Sequence, residues 1–87
     1  MSIDIQHQEL IYQHLQVKSE LIHGDTQPVY TMYFTTVASR GAAEIQVRTT
    51  DLTVVDGLEE GQRYLVVYET RHGGHGLENW LEYRHKM

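Results

Sequence analysis

Four aromatic side chains and four cations carry the chemistry that this sequence makes readable. Tyr33, Tyr64, Tyr68 and Trp80 sit in runs where apolar and polar residues alternate. If Met32 and Phe34 point into a core, Tyr33 points out; if Leu65 and Val67 point in, Tyr64 and Tyr68 point out; if Leu81 and Tyr83 point in, Trp80 is exposed. Outward rings are stacking platforms for unpaired bases, each contributing roughly 1–3 kcal/mol. Lys18, Arg48, Arg63 and Arg84 would supply the phosphate contacts beside them. The same residue types suit a protein interface, whose strongest contacts favour Trp, Tyr and Arg. A structural role competes with both, because tyrosine is a routine cross-strand partner and often covers a small core.

The histidines point elsewhere and less far. His72 and His75 flank two glycines, and His85 follows on the last predicted strand. Two imidazoles on one loop can pinch a transition metal, and a third completes an open zinc site. The same loop reads as a hairpin tip whose glycines supply positive φ, and we prefer that reading, with no metal and no cofactor. His7, His14 and His23 are scattered. Catalysis has the least support. There is no cysteine, the serines Ser2, Ser19 and Ser39 lack an elbow context, and no glycine-rich nucleotide loop exists. Asp51 with Asp56, and Glu59 with Glu60, read as a helix cap and a solvated turn rather than as an acid–base pair. A non-enzymatic binding protein is expected.

Strands must position these residues. His14 to Leu21 alternates without a break, and Glu44 to Arg48 does so again. The spacing predicts strands over residues 12–22, 29–37, 43–50, 63–70 and 79–85. Residues 1–11 read as a loose arm or a short helix, and 12–87 as one β domain. The alternative is a longer helix capped by Asp4, with Leu10, Ile11, Leu15 and Ile22 on one side and Gly24 at its end; the cleaner alternation over 14–21 favours the strand. Gly24 to Pro28 and Ser39 to Gly41 are turn chemistry. Asp51 is expected to cap a single helical turn over Leu52, Val54 and Val55, ended by Gly57. Both parities of 63–70 are apolar or aromatic, so that strand is central or covered on both sides. The expected interior is Leu15, Val17, Ile45, Val47, Leu65 and Val67.

A long strand, two more strands, a connector with a helical turn and a closing hairpin form an all-β layout. It resembles the oligonucleotide/oligosaccharide-binding (OB) fold, a small five-stranded antiparallel barrel. The resemblance spans about residues 12 to 85. A narrower likeness is to the single-stranded-DNA-binding proteins of filamentous phages. Gly61, Tyr64, Val66 and Tyr68, then Gly73 to Gly76, then Leu81 carry it. It implies a phage-like protein that holds single-stranded nucleic acid on its aromatic face. Immunoglobulin-like and SH3-like β folds fit the same pattern nearly as well.

The 87 residues allow one domain and one small core, and the chain has no cysteine with which to staple it. A homodimer is one remedy for so thin a margin. No apolar run approaches the roughly 20 residues of a membrane span, so a cytoplasmic protein with no membrane partner is expected. The formal charge is −5, from 12 acidic and 7 basic residues. It disfavours diffuse attraction to nucleic acid and gives the rival reading its motive: an acidic adaptor or inhibitor, of phage or mobile-element type, docked on a partner protein. If Glu20, Glu44, Glu69 and Glu82 share the wet faces with the arginines, phosphates meet a mixed potential and affinity rests on stacking.

Overall fold

The computed structural model describes residues 4–37, 41–73 and 76–87. It is mostly strand: β1 (Asp4–Ile22), β2 (Asp25–Thr36), β3 (Glu44–Thr49), β4 (Arg63–Gly73) and β5 (Gly76–Lys86), with one short helix, α1 (Leu52–Val55), between β3 and β4. The strands form one sheet that closes into a ring in the order β1-β2-β3-β5-β4. No helix among the described residues is long and apolar enough to cross a membrane.

Closure is the work of β1. Leu10 to Ile22 pairs with β2, and Asp4 to Ile11 pairs with β4. The expected arm or short helix over 1–11 is therefore corrected from residue 4 onward: this segment is the first half of β1. An irregularity between Tyr12 and His14 leaves Gln13 outside the ladder with β2. A single extra residue reverses the parity of everything after it. Leu10 and Tyr12 face inward before the bulge, and Leu15 packs against the same core after it. Gln13 settles its own polar end by donating from Nε2 to Thr35 Oγ1 at 3.1 Å.

The sheet is mixed rather than wholly antiparallel. β3 and β5 run parallel where Arg48 meets Trp80, while the other four seams are antiparallel. A second irregularity lies on β5. Val67 faces Tyr83 and Tyr68 faces Leu81, so Glu82 is the extra residue. Leu81 consequently packs on the core, while Tyr83 is turned out and 51% exposed.

The interior holds Leu10, Tyr12, Met32, Phe34, Val47, Val55, Tyr64, Val66 and Tyr68. Of the six residues expected there, Val47 is in the cluster, and Leu15 and Ile45 are packed against it. Val67 is buried, but outside that cluster. Val17 is 52% exposed, so its placement is corrected: it lies where the β1–β2 ribbon runs on toward its turn at His23 and Gly24. Strand β4 has the opposite parity to the one expected. Tyr64, Val66 and Tyr68 point inward, and Leu65 and Val67 lie on the other side.

The connector caps one end of the ring. Asp51 is the N-cap as expected, its Oδ1 accepting from Thr53 N at 2.9 Å. Val55 enters the core, and Val54 and Leu58 pack against it. Gly61 then turns with φ 82°, a value that favours glycine, and its N–H donates to Tyr12 O at 2.8 Å.

Candidate ligand-binding face

The eight expected site residues separate into three groups. Tyr33, Lys18, Arg48 and Trp80 share the outer face of the sheet where β1, β2, β3 and β5 meet. Strand pairing puts them there: His14 opposes Tyr33, Tyr33 opposes Gln46, Thr31 opposes Arg48, and Arg48 opposes Trp80. An open cleft of about 470 Å³ lies on this face, lined by Gln16, Lys18, Tyr33, Arg48 and Glu78 among others. Tyr64 and Tyr68 belong to the second group and are corrected as stacking platforms. They are 0% and 5% exposed, because β4 turns its tyrosines inward. Arg63 and Arg84 form the third group, away from that cleft. Arg63 begins β4 and lies 3.9 Å from Glu9. Arg84 donates from Nε to Val54 O and from Nη2 to Asp56 O, both at 2.9 Å, and its guanidinium lies 5.4 Å from the centre of the Tyr64 ring.

On the outer face the rings are already engaged. His14 stacks on Tyr33 with centroids 4.2 Å apart and planes 10° from parallel. The Tyr33 hydroxyl donates to Gln16 Oε1 at 2.7 Å, which holds the ring in place. Trp80 is half-buried, with the Arg48 and Arg71 guanidinium carbons 5.0 and 4.6 Å from its ring centre. Its Nε1 donates to Glu78 Oε2 at 3.1 Å.

Arg48 is the electrostatic centre of the face. Its Nη1 donates to Glu78 Oε1 at 2.6 Å and its Nη2 is ion-paired with Glu20 Oε2. The Arg48 side chain is only 16% exposed, so this pairing is better shielded from salt than a surface bridge. Arg71 and Lys18 are exposed, and neither is in an ion pair among the described residues. A second cleft of about 430 Å³ shares Glu78 with the first and is lined also by His23, Gln27, Thr50, Arg71, His72 and Trp80.

The resolved acid–base shifts lie elsewhere. Burial pushes the Tyr68 hydroxyl above its usual range, and Tyr68 donates to Gln8 Oε1 at 2.9 Å. Burial does the same to Tyr12, with the Glu60 and Tyr64 charges adding to it. Hydrogen bonds from the Thr53 hydroxyl and N–H hold the Asp51 carboxyl below its usual range. These are structural consequences of the core and the cap. No group of three potential metal ligands occurs among the described residues, and His75 lies outside them.

Arg71, Glu78 and His14 were not singled out from the sequence as parts of a site. Counting back from the glycine tip was the available signal for the first two. Gly73 opposes Gly76, so Arg71 opposes Glu78, and Glu69 opposes Trp80. Arg71 is thus the diagonal neighbour of Trp80, within reach of a long side chain. No family model matches the chain, and no curated protein or solved structure matches it either.

Proposed function

We propose that this protein is a non-enzymatic binding module for single-stranded nucleic acid, with the outer face of β1, β2 and β3 as its platform. The observation that carries the reading is the His14–Tyr33 stack, whose Tyr33 ring lines an open cleft together with Lys18. A flat, pre-set aromatic pair accepts a base at little ordering cost, and every base has a face to offer. The strand order β1-β2-β3-β5-β4, with a helix between β3 and β4, supports the resemblance to the OB fold, in which the face of strands 2 and 3 takes oligonucleotides.

The charge on this face also supports the reading. Among the residues lining the two clefts, Lys18, Arg48 and Arg71 balance Glu20, Glu44 and Glu78, and Glu69, opposite Trp80, leaves the wider face one charge negative. Much of the acidic excess lies elsewhere: Asp51, Asp56, Glu59 and Glu60 are all exposed on the connector around α1. A strand crossing the platform meets mixed charges close to balance, and a smaller acidic excess than the −5 of the whole molecule. Titrating oligo-dT and oligo-U at low salt, with Trp80 emission and the anisotropy of a labelled strand as readouts, tests the proposal. Complex formation is expected, and absence of any complex would remove it.

One observation favours a second reading. The acidic connector is well placed to enter a basic groove of a partner protein, as an adaptor or inhibitor would. That reading expects specific capture of a basic partner, lost when Asp56, Glu59 and Glu60 are replaced by their amides, and no oligonucleotide complex.

A further inference from the structure

Glu78 is held in a way that a plain surface ion pair does not require. Both of its oxygens are used, one by Arg48 and one by the Trp80 indole. Its side chain also lines both clefts. Its carboxylate sits against Gly73 so closely that a methyl group at position 73 would collide with all three of its terminal atoms. Gly73 is not among the glycines with positive φ, so its backbone does not demand glycine. The notch, rather than the turn, is what the missing side chain provides.

A carboxylate and a phosphodiester offer an arginine the same thing: two oxygens, one negative charge and a fork that matches the guanidinium. We propose that Glu78, seated in the notch at Gly73 and assisted by Glu20, occupies the Arg48 fork as a built-in stand-in for a backbone phosphate, and that a bound single strand takes this site by displacing it. The inference rests on the strand-binding reading and adds its regulation. Arg48 is an anion site that is filled in the free protein. Glu78 is the residue common to the linings of both clefts, so its displacement lets Tyr33 in one and Arg71 in the other serve one strand. A carboxylate occupant keeps Arg48 from attracting stray anions and makes occupancy depend on a ligand that also stacks.

Two substitutions release the fork by different means. Glu78→Gln removes the charge. Gly73→Ala keeps the charge and evicts the carboxylate, whose far end is the part that must move. Glu82→Gln is the control, since Glu82 is exposed at the β5 irregularity and its loss changes net charge equally. Binding of oligo-dT is measured by anisotropy across a salt series, with thermal melts confirming that each variant is folded. Competition between an internal carboxylate and a phosphate at a partly exposed pair corresponds to about two- to fivefold in affinity. Glu78→Gln and Gly73→Ala are each expected to tighten binding by that factor and to steepen the slope of log K against log salt by about 0.7, one added phosphate contact. Glu82→Gln is expected to bind like the parent. If the parent binds and the two releasing variants bind no tighter, Glu78 is a structural staple and the proposal is overturned. The same follows if Glu82→Gln tightens binding as much as they do. If no protein in the set binds, the strand-binding reading fails and takes this one with it.

Discussion

Replacing Arg84 by alanine separates a structural cation from a ligand-binding one. From type and spacing, Arg84 reads as a phosphate contact. The structure instead aims it at the end of α1. A four-residue helix leaves its last carbonyls without intrahelical donors, and Arg84 supplies one of the missing bonds, to Val54 O, and a second bond to Asp56 O at the C-cap. A charge-assisted hydrogen bond contributes about 1.5–3 kcal/mol. The bond to Val54 is partly buried and counts in that range, whereas the bond to Asp56 is exposed and adds little. Placement over the Tyr64 ring adds about 0.5–1 kcal/mol. The sum is a loss of about 2–4 kcal/mol, against a total stability of about 5–15 kcal/mol for a domain. For a chain of this size, that is a fall in melting temperature of roughly 8–30 °C. Arg84→Lys is expected to recover less than half of it, because one ammonium cannot span both carbonyls with a fork's geometry. Circular-dichroism melts measure the loss, and oligonucleotide binding well below the transition measures function. A melting temperature within about 3 °C of the parent would refute the capping account. So would weaker binding by a variant that melts normally.

Other perturbations read other parts of the structure. Tyr33→Ala is expected to weaken oligonucleotide binding by roughly 1–3 kcal/mol while leaving the melting temperature nearly unchanged, because the lost ring is on the wet face. Met32→Ala, at a position 0% exposed, is expected to cost about 2–5 kcal/mol in urea unfolding, read as a lower midpoint at unchanged slope. Asp51 has its carboxyl lowered by Thr53, so its contribution is present above the unfolded carboxylate range and is lost as pH falls through the folded value. Denaturation of the parent and of Asp51→Ala should therefore converge in acid; a gap that widens on acidification would contradict the cap. Tyr68 has its hydroxyl raised by burial, so its contribution is complete below the ordinary tyrosine range and is lost as pH climbs through the folded value. Tyr68→Phe should accordingly blunt alkaline unfolding, followed by tyrosinate absorbance.

The strands were legible wherever one face was dry and the parity held. Glu44 to Arg48 alternates cleanly and is β3, and Asp51 announces its cap by type and place. Two features hid the rest. In the first half of β1, the inward parity begins with Gln6 and Gln8 and reaches an apolar residue only at Leu10, and the bulge at Gln13 then reverses the pattern. No single period runs through the strand, so its start reads as an arm. In β4 both parities are apolar or aromatic, and the choice between Tyr64-Val66-Tyr68 and Leu65-Val67 is not written in the strand itself. It is decided across the ladder: Leu10 opposes Tyr64, and Leu81 opposes Tyr68 only because Glu82 is skipped. A tyrosine accepts the interior when its hydroxyl finds a partner. Tyr64 accepts from Glu59 N at 2.8 Å and Tyr68 donates to Gln8, contacts made across 5 and 60 residues of chain. Of the eight expected site residues, Tyr33, Lys18, Arg48 and Trp80 share one face and lie on β1, β2, β3 and β5, where a parity could be read. Arg63, Tyr64 and Tyr68 lie on β4, where none could, and Arg84 lies on β5 beyond the skipped Glu82.

The cations left over after pairing set the salt dependence of any strand complex. Arg63 is beside Glu9, Lys86 is paired with Glu59, and Arg84 is bound to carbonyls of the connector. Arg48 is filled by Glu20 and Glu78. Among the described residues, Lys18 and Arg71 remain on the platform face. Each phosphate neutralised on a single strand contributes a slope of about −0.7 in log K against log salt. Two contacts give about −1.4, and about −2.1 once the strand has taken Arg48 from Glu78. Stacking on Tyr33 is nearly independent of salt, so binding should persist well above physiological ionic strength, at modest affinity. A slope steeper than about −3 would require cations that the structure has committed elsewhere, Arg63 and Arg84 first among them. Such a strand would lie across the α1 end of the ring, against the exposed acids of the connector, and the platform assigned to β1, β2 and β3 would be the wrong face of the molecule.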